Sequence, residues 1–378
     1  TCGLKVASSR KASLTEAIAE LARGLGPGPF QHLLVFYSAD CDPDSLCAAL
    51  TFAFPDVAIS GCSTAGEISP SGMSESGILL VAFPAEGFRV HTALLEDIDE
   101  FAVERASEAV RRLKAQLRTE GERKRSERAF ALMLADGLSN AEETVVAAVH
   151  WALDDVPLIG GSAGDGLAFK RTSLIYEGRG VRSSAVLIMV ETDFPFRVFK
   201  TQNFEPTPIK LVVTAADTEN RIVHELNAGP AALEYASAIG LMPEDLGPFS
   251  FASHPLVVKI GGDYYCRSIR NMNPDGSLSF FCAIDEGLVF TVARPQDILS
   301  STERQLAEID KSLGGIELVL GFDCVLRRLD AETRQIRHQM EDLYRRFSVV
   351  GFHTYGEQFN AMHLNQTLTG IAFGARPE

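Results

Sequence analysis

One pattern occurs three times along the chain: an apolar strand, a helix, a second short strand and a turn of small residues. The first copy consists of "HLLVFYSAD" (32–40), "PDSLCAALTFAF" (43–54) and "DVAISG" (56–61). The second copy consists of "AFALMLADG" (129–137), "AEETVVAAVHWAL" (141–153) and "DVPLIGG" (155–161). The third consists of "IELVLGFDCVLRR" (316–328), "DAETRQIRHQMEDLYRRF" (330–347) and "SVVG" (348–351). This order predicts an α/β fold of mixed sheets built from repeated strand–helix–strand–glycine-turn units, with right-handed crossovers wherever the strands are parallel.

Further strands follow each copy. They are "SGILLVAF" (76–83) and "FRVHTALL" (88–95), then "SSAVLIMVE" (183–191) and "FRVFKTQ" (196–202), and finally "NQTLTGIAFG" (365–374). A proline pair near residue 205 predicts a boundary between two domains, 1–205 with repeats at about 30–100 and 128–203, and 206–378. The second domain is predicted to open with a hairpin turning at "TEN", a helix from about residue 230 and a hairpin turning at "GGD".

The three turns carry the same chemistry. Each offers glycine, a hydroxyl and a carboxylate in a short space: "GCSTAGE" at 61–67, "SAGD" at 162–165 and "GFHTYGE" at 351–357. Because ligands bind at the carboxyl ends of parallel strands, these turns are candidate ligand contacts. The candidates are Gly61, Thr64, Gly66, Glu67, Ser162, Gly164, Asp165, Thr354, Gly356 and Glu357. The alternative is structural: the glycines make the turns and the acidic residues close them internally.

Composition narrows the function. The net charge of −15 disfavours nucleic-acid binding, which depends on clustered Lys and Arg. The basic stretch at 111–128 is interpreted as an exposed helix end running into a linker, or as a docking patch for an acidic partner. No apolar run has the length of a membrane span, and the N-terminal residues lack the apolar centre of a secretory signal, so we expect a cytoplasmic protein.

Enzymatic and metal-binding motifs are scarce. There is no Walker loop, no G-x-G-x-x-G opening a helix, no G-x-S-x-G and no H-E-x-x-H, and we expect no enzyme activity. An enzyme that uses the Gly-Glu turns as acid–base groups is the least favoured alternative. Seven cysteines without a C-x-x-C pair indicate reduced thiols, although Cys41, Cys47 and Cys62 could converge on an iron–sulfur or zinc site.

Two stretches resemble a known family. "DVAISGCSTAGEI" is similar to the N-terminal signature of FIST domains, and "GFHTYGEQFNAMHLNQTLTGIAFG" is similar to the C-terminal signature. FIST domains are sensory modules, so the resemblance implies a sensor. The wording of the C-terminal stretch resembles the nitric-oxide-sensing type, which implies haem binding, nitric oxide as the signal and regulation of a histidine kinase or a cyclic-di-GMP enzyme in trans. A homodimer is compatible with this role. The alternative is a sensor of a small ligand such as an amino acid, without haem.

A haem would need an axial ligand. His353, inside the third turn, and His363, just after it, are the best placed imidazoles, and Tyr355 is an alternative oxygen ligand. Arg267 and Arg270 could pair with haem propionates, or with the carboxylate of another ligand. The third turn has His353 and Tyr355 where the first has Ser63 and Ala65. We therefore expect the ligand near the third turn.

Overall fold

The computed structural model describes residues 1–100, 103–117, 125–260 and 262–375. Most of the basic stretch after residue 117 lies outside the described residues. In the described part, no helix has both the length and the apolar character needed to cross a membrane. The predicted fold class is confirmed, since mixed sheets and helices alternate along the chain.

The first unit has a strand–helix–strand–helix–strand order, followed by a hairpin and a further strand. Its elements are β1 (Lys5–Ser9), α1 (Leu14–Leu25), β2 (Phe30–Ser38), α2 (Pro43–Ala53), β3 (Ala58–Thr64), β4 (Glu67–Ser69), β5 (Gly72–Ser74) and β6 (Ile78–Pro84). Both helices begin at side-chain caps. Ser13 accepts a hydrogen bond from the N–H of Glu16, and Asp42 accepts one from the N–H of Ser45. The sequence analysis did not predict β1, α1 or the β4–β5 hairpin.

The second unit repeats this order. Its elements are β7 (Phe88–Leu95), α3 (Val103–Lys114), α4 (Arg125–Arg128), β8 (Ala129–Ala135), α5 (Glu142–Leu153), β9 (Leu158–Ser162), β10 (Leu174–Tyr176), β11 (Arg179–Val181) and β12 (Ala185–Thr192).

The third unit begins with β13 (Phe196–Gln202), and residues 204–295 then form an insertion. The insertion contains β14 (Phe204–Asp217), β15 (Ile222–Leu226), β16 (Gly229–Pro230), α6 (Ala231–Ile239), α7 (Pro248–Ser253), β17 (Leu256–Ile260), β18 (Asp263–Arg267), β19 (Ile269–Met272), β20 (Leu278–Phe280) and β21 (Val289–Pro295). The unit resumes with α8 (Ile298–Leu313), β22 (Ile316–Cys324), α9 (Val325–Thr333), α10 (Arg337–Arg346), β23 (Val349–Thr354), β24 (Glu357–Phe359), β25 (Met362–Leu364) and β26 (Thr367–Gly374).

Two predictions for the third unit were wrong in detail. The strand predicted to reach Arg328 ends at Cys324, because an ion pair of 2.6 Å between Asp323 and Arg327, four residues apart, favours a helix there. The single helix predicted for 330–347 is two helices, and Gln335 between them has a φ of +58°.

The three units exchange their hairpins in a closed ring. The first sheet has the order β1-β6-β2-β3-β10-β11, the second β7-β12-β8-β9-β24-β25, and the third β13-β26-β22-β23-β4-β5. Each sheet thus receives the hairpin that follows the glycine turn of another unit. The edge strands β7 and β13 come directly after β6 and β12, the last strands of the first and second units. The insertion has its own antiparallel sheet, β18-β17-β21-β14-β15-β20-β19, with β16 on β15. The proposed division at residue 205 stays a prediction.

The three sheets share one core. Their inner faces meet in a cluster of aromatic and aliphatic side chains to which every sheet contributes, and the rings of Phe36 and Phe352 lie 4.7 Å apart there. The helices cover the outer faces in separate clusters. We call the three sheets with their helices the body. Within it, β2 and β3, β8 and β9, and β22 and β23 are parallel pairs, as expected for the repeated units.

Candidate functional site

The three glycine turns meet at the carboxyl ends of the parallel strands. Backbone hydrogen bonds of 2.9–3.2 Å join them in a ring: Ala65 donates to His353, Tyr355 to Ser162, and Gly164 to Ser63. The structure therefore brings together the turn residues that the sequence singled out. It packs them against each other, and Thr64, Ser162 and Thr354 are all buried.

The first turn closes internally through its carboxyl group. Thr64 donates a hydrogen bond of 2.7 Å to Glu67, and Ser74 on the neighbouring strand donates one of 3.1 Å. Burial raises the pKa of Glu67 to about 7, although these hydrogen bonds lower it. The geometry corresponds to the structural alternative of the sequence analysis.

The third turn repeats this arrangement. Thr354 donates a hydrogen bond to one oxygen of Glu357, and the hydroxyl of Thr367 donates one of 2.8 Å to the other. Burial raises the pKa of Glu357 to about 8, so its carboxyl is mostly protonated at neutral pH.

The second turn uses its acid differently. Asp165 accepts hydrogen bonds from the phenol of Tyr355 and, at 2.8 Å each, from the N–H groups of Phe169, Lys170 and Arg171. The ring of Tyr355 stacks on Phe169 with 4.5 Å between centroids. Burial and the neighbouring carboxylate raise the pKa of Tyr355, which keeps it a phenol. Tyr355 therefore links two turns.

His353 lies inside the body. It is fully buried, and neither ring nitrogen has a hydrogen-bond partner. Its Nδ1 is 3.7 Å from a carboxylate oxygen of Asp323, whose partners are Arg327 at 2.6 Å and Tyr344 at 2.8 Å. Burial, reinforced by nearby arginines, lowers the pKa of His353 well below its ordinary value.

His363 is also enclosed, with 2% of its surface exposed and both ring nitrogens unpartnered. Its ring packs against the Cα of Gly356 so closely that a Cβ at that position would overlap it. Burial lowers the pKa of His363 to about 4, and Glu143, Arg221 and Arg267 lie near enough for their charges to act on it. The imidazole is therefore neutral.

Arg267 and Arg270 lie on the insertion. The guanidinium of half-buried Arg267 makes one hydrogen bond, of 3.5 Å to the carbonyl of Cys266, and has no ion pair with any described carboxylate. Arg270 is exposed and donates to the amide oxygen of Asn271 at 3.3 Å. Partial burial and the charge of Arg221 lower the pKa of Arg270.

The cysteines form no disulfide. All seven are free thiols, and only Cys41 is partly exposed. Within the described ranges, no group of three or more His, Cys, Asp or Glu side chains is placed to hold a metal ion.

The sequence analysis missed an open cavity beside the first turn, at the carboxyl end of β2. Its volume is about 400 Å³, within the range of small-molecule pockets. Basic, acidic and hydroxyl residues line it together with apolar ones: Arg10, Lys11, Ser38, Asp40, Asp42, Ser45 and Ser76, with Cys41, Gly77, Ala12, Leu14 and Ile78. We call it the first-unit cavity. The signal in the sequence was "SADCDPDS", in which acids and hydroxyls follow a buried strand and cap a helix.

The corresponding region of the third unit is more filled, and residues of the insertion, Phe204 and Ala252, help to line it. Gly77 corresponds in the repeat to Thr367, 290 residues later: Gly77 lies just before β6, and Thr367 is the first residue of β26. Thr367 lies beside Glu357 and donates a hydrogen bond to it, whereas a Cβ at Gly77 would lie 2.9 Å from the carbonyl oxygen of Ser9 and 3.4 Å from a carboxyl oxygen of Glu67. The matching cavity of the third unit, which Arg327 lines, has only about 20 Å³.

Comparisons with known proteins agree with the repeated signatures. The FIST N domain matches residues 31–229, and the FIST C domain matches residues 231–360. An uncharacterised protein of Methanocaldococcus jannaschii is 25% identical over 355 residues, which cover 83% of this chain and 67% of that protein. A solved cyanuric acid hydrolase aligns over 98% of this chain and 99% of its own, with 9% identity and a TM-score of 0.41. Because the two domain matches span most of its length, the chain belongs to the FIST family of sensory domains.

Proposed function

We propose that this protein senses a small zwitterionic ligand such as an amino acid, that it does so without haem, and that it passes the signal to a separate protein. The observation that carries the proposal is the first-unit cavity, which combines suitable volume with side chains of both charges. The carboxyl groups of Glu67 and Glu357 accept hydrogen bonds from the threonine hydroxyls of their own turns, which supports a binding role for the protein over a catalytic one.

The lining suggests how such a ligand binds. Arg10 and Lys11 supply cations for a carboxylate, and the guanidinium can make two parallel hydrogen bonds. Of the two acids in the lining, Asp42 already accepts hydrogen bonds from Ser45 at 2.7 and 2.9 Å. Asp40 is therefore the acid that can accept from the ammonium group of a ligand. These hydrogen bonds lower the pKa of Asp42 and keep it as the cap of α2.

The signal has a contact path to the third sheet. Arg10 donates a hydrogen bond of 3.4 Å to the carbonyl of Met73 on β5, and Arg337 on α10 donates one of 3.0 Å to the same carbonyl. A ligand carboxylate that attracts Arg10 would weaken the first bond. The hairpin of the first unit and the start of α10 would then adjust together, because they share that acceptor. A histidine kinase or a cyclic-di-GMP enzyme is the proposed receiver.

Calorimetry with the twenty amino acids tests this proposal. We expect at least one to bind, and Arg10→Gln and Asp40→Asn each to weaken its binding at least tenfold. Arg111→Gln removes an exposed charge on α3, away from the cavity, and is the matched control. Binding that is unchanged in both cavity variants, or the absence of binding by every amino acid, would contradict the proposal.

Haem-based sensing of nitric oxide is the second candidate. The observation in its favour is that His353 and His363 are neutral imidazoles whose ring nitrogens have no hydrogen-bond partner, and an iron ligand needs one such free nitrogen. The packing does not fit a haem, however, because both rings are enclosed by protein, with 0% and 2% exposure. A macrocycle could reach either ring only if neighbouring strands moved apart.

An absorption spectrum separates the two candidates. We expect purified protein supplied with haem to show no Soret band that depends on either histidine. A Soret band that shifts on His363→Ala or His353→Ala, and responds to nitric oxide, would favour the haem sensor instead.

A further inference from the structure

The insertion meets the body at a polar junction whose residues differ from those that line the first-unit cavity. From the insertion come Arg221, Arg267 and Cys282. The body supplies Glu142 and Glu143 at the start of α5, and His363 on β25, which packs against both α5 and β18. We propose that this junction is a binding site for a small oxyanion, such as phosphate or a carboxylate, held between Arg267 and His363.

Part of the junction is already satisfied by ion pairs. Arg221, 5% exposed, donates at 2.9 Å to Glu142 and at 2.6 Å to Glu143. The other oxygen of Glu143 accepts a hydrogen bond of 2.6 Å from the N–H of Ala283. Both glutamates therefore already have hydrogen-bond partners on the insertion, Arg221 and Ala283.

Two groups at the junction remain without a partner that matches them. The ring nitrogens of His363 have none, although burial of an unpaired polar group is unfavourable. Arg267 contacts no carboxylate of the described residues, and its only hydrogen bond is the long one to its neighbour's carbonyl. A neutral imidazole has one N–H donor and one acceptor nitrogen, and a guanidinium only donates, so the partner that the two side chains can share is an acceptor.

The charges favour an anion over a neutral acceptor. Arg221, Arg267 and Arg270 act on one another or on His363, and two glutamates oppose these three cations. Burial raises the pKa of Glu142, the carboxyl that lies 2.9 Å from Arg221. Burial also raises the pKa of Cys282 to about 11, so the thiol there does not compete as an anion.

The site joins two parts of the molecule. Arg267 belongs to the insertion and His363 to the body, so an anion bound to both adds an ionic contact across the junction. It would stabilise the docked arrangement that the Arg221 ion pairs already hold. The inference does not depend on the first-unit cavity, because no residue is common to the two sites.

Titration of the full chain with inorganic phosphate and, separately, with acetate tests the site. In a buffer without other oxyanions, we expect calorimetry to detect binding of at least one of them. Arg267→Gln should weaken it at least tenfold, and Arg267→Lys should retain a measurable part. Arg294→Gln, an exposed arginine elsewhere on the insertion, is the matched control and should bind as the parent does.

A spectroscopic measurement on the unsubstituted protein adds an independent readout. With 15N-labelled histidine, the anion should shift the imidazole resonances of His363 and leave those of exposed His338 unchanged. The proposal is overturned if neither anion binds, if Arg267→Gln binds as tightly as the parent, or if the resonances of His363 do not move at saturation.

Discussion

Replacing Glu357 by Gln should remove a pH dependence that is built into the third turn. Glu357 is fully buried, and its partners are the hydroxyls of Thr354 and Thr367. Burial raises its pKa from an ordinary 4.5 to about 8 in the folded chain. Because the folded pKa is the higher one, its contribution to stability is complete at low pH and is lost as pH rises through about 8.

The magnitude follows from proton linkage. Between pH 5.5 and 7.5 the unfolded chain is ionised at this position while the folded chain holds a proton. Each pH unit in this window therefore lowers the free energy of unfolding by about 1.4 kcal/mol, and the two units lower it by about 3 kcal/mol. Glutamine keeps the shape of the protonated acid and cannot ionise, so Glu357→Gln escapes this loss. Any difference in hydrogen bonding adds an offset that does not vary with pH.

Urea unfolding followed by circular dichroism at several pH values measures the effect. The free energy of unfolding of the variant minus that of the parent should rise by about 3 kcal/mol from pH 5.5 to 7.5 and level off above pH 8. Glu67→Gln is the internal comparison. Because the pKa of Glu67 is raised only to about 7, its difference should level off one pH unit earlier. A difference that is constant across the range would refute the reasoning for Glu357.

Two further substitutions test the packing around the site. Gly356→Ala should lower the free energy of unfolding by about 1–3 kcal/mol, because its Cβ would overlap the ring of His363. The control Gly247→Ala, which has no atom nearby, should change it little, and thermal melts of the two variants measure the difference. Tyr344→Phe removes a hydrogen bond of 2.8 Å to buried Asp323. We expect urea unfolding to show a free energy of unfolding that is lower by about 1–3 kcal/mol, and an unchanged midpoint would mean that this bond contributes nothing to stability.

The repeat was predictable because each copy is local in sequence. Strand, helix and turn follow one another within about 35 residues, and the hydrophobic pattern of such a segment reports its structure directly. The parallel pairs of β2 with β3 and of β22 with β23 follow from the same pattern. The prediction failed where the hydrophobic pattern and the charge pattern disagreed. "VLRR" continues an apolar strand in sequence, but its two arginines pair with acids four residues away, and the segment is helical.

The hairpin exchange was not predictable in this way. β4 pairs with β23, and β24 pairs with β9, across roughly 200–290 residues of sequence. Nothing in a three-residue strand such as "EIS" or "EQF" specifies so distant a partner. The sequence therefore indicated that the turns form a family of equivalent sites, but it did not show that they seal one another.

That sealing changes where a ligand should be sought. The third turn has His353 and Tyr355 where the first has smaller residues. These larger side chains occupy space that a ligand would need. His353 is fully buried, Tyr355 is stacked on Phe169, and Thr367 donates a hydrogen bond to Glu357. The first unit has Gly77 at the position of Thr367, and the cavity beside it is about 400 Å³ against about 20 Å³ in the third. The insertion residues Phe204 and Ala252 help to line the small third cavity, whereas no described residue of the insertion lines the first, so the first unit is the better place to look for a ligand.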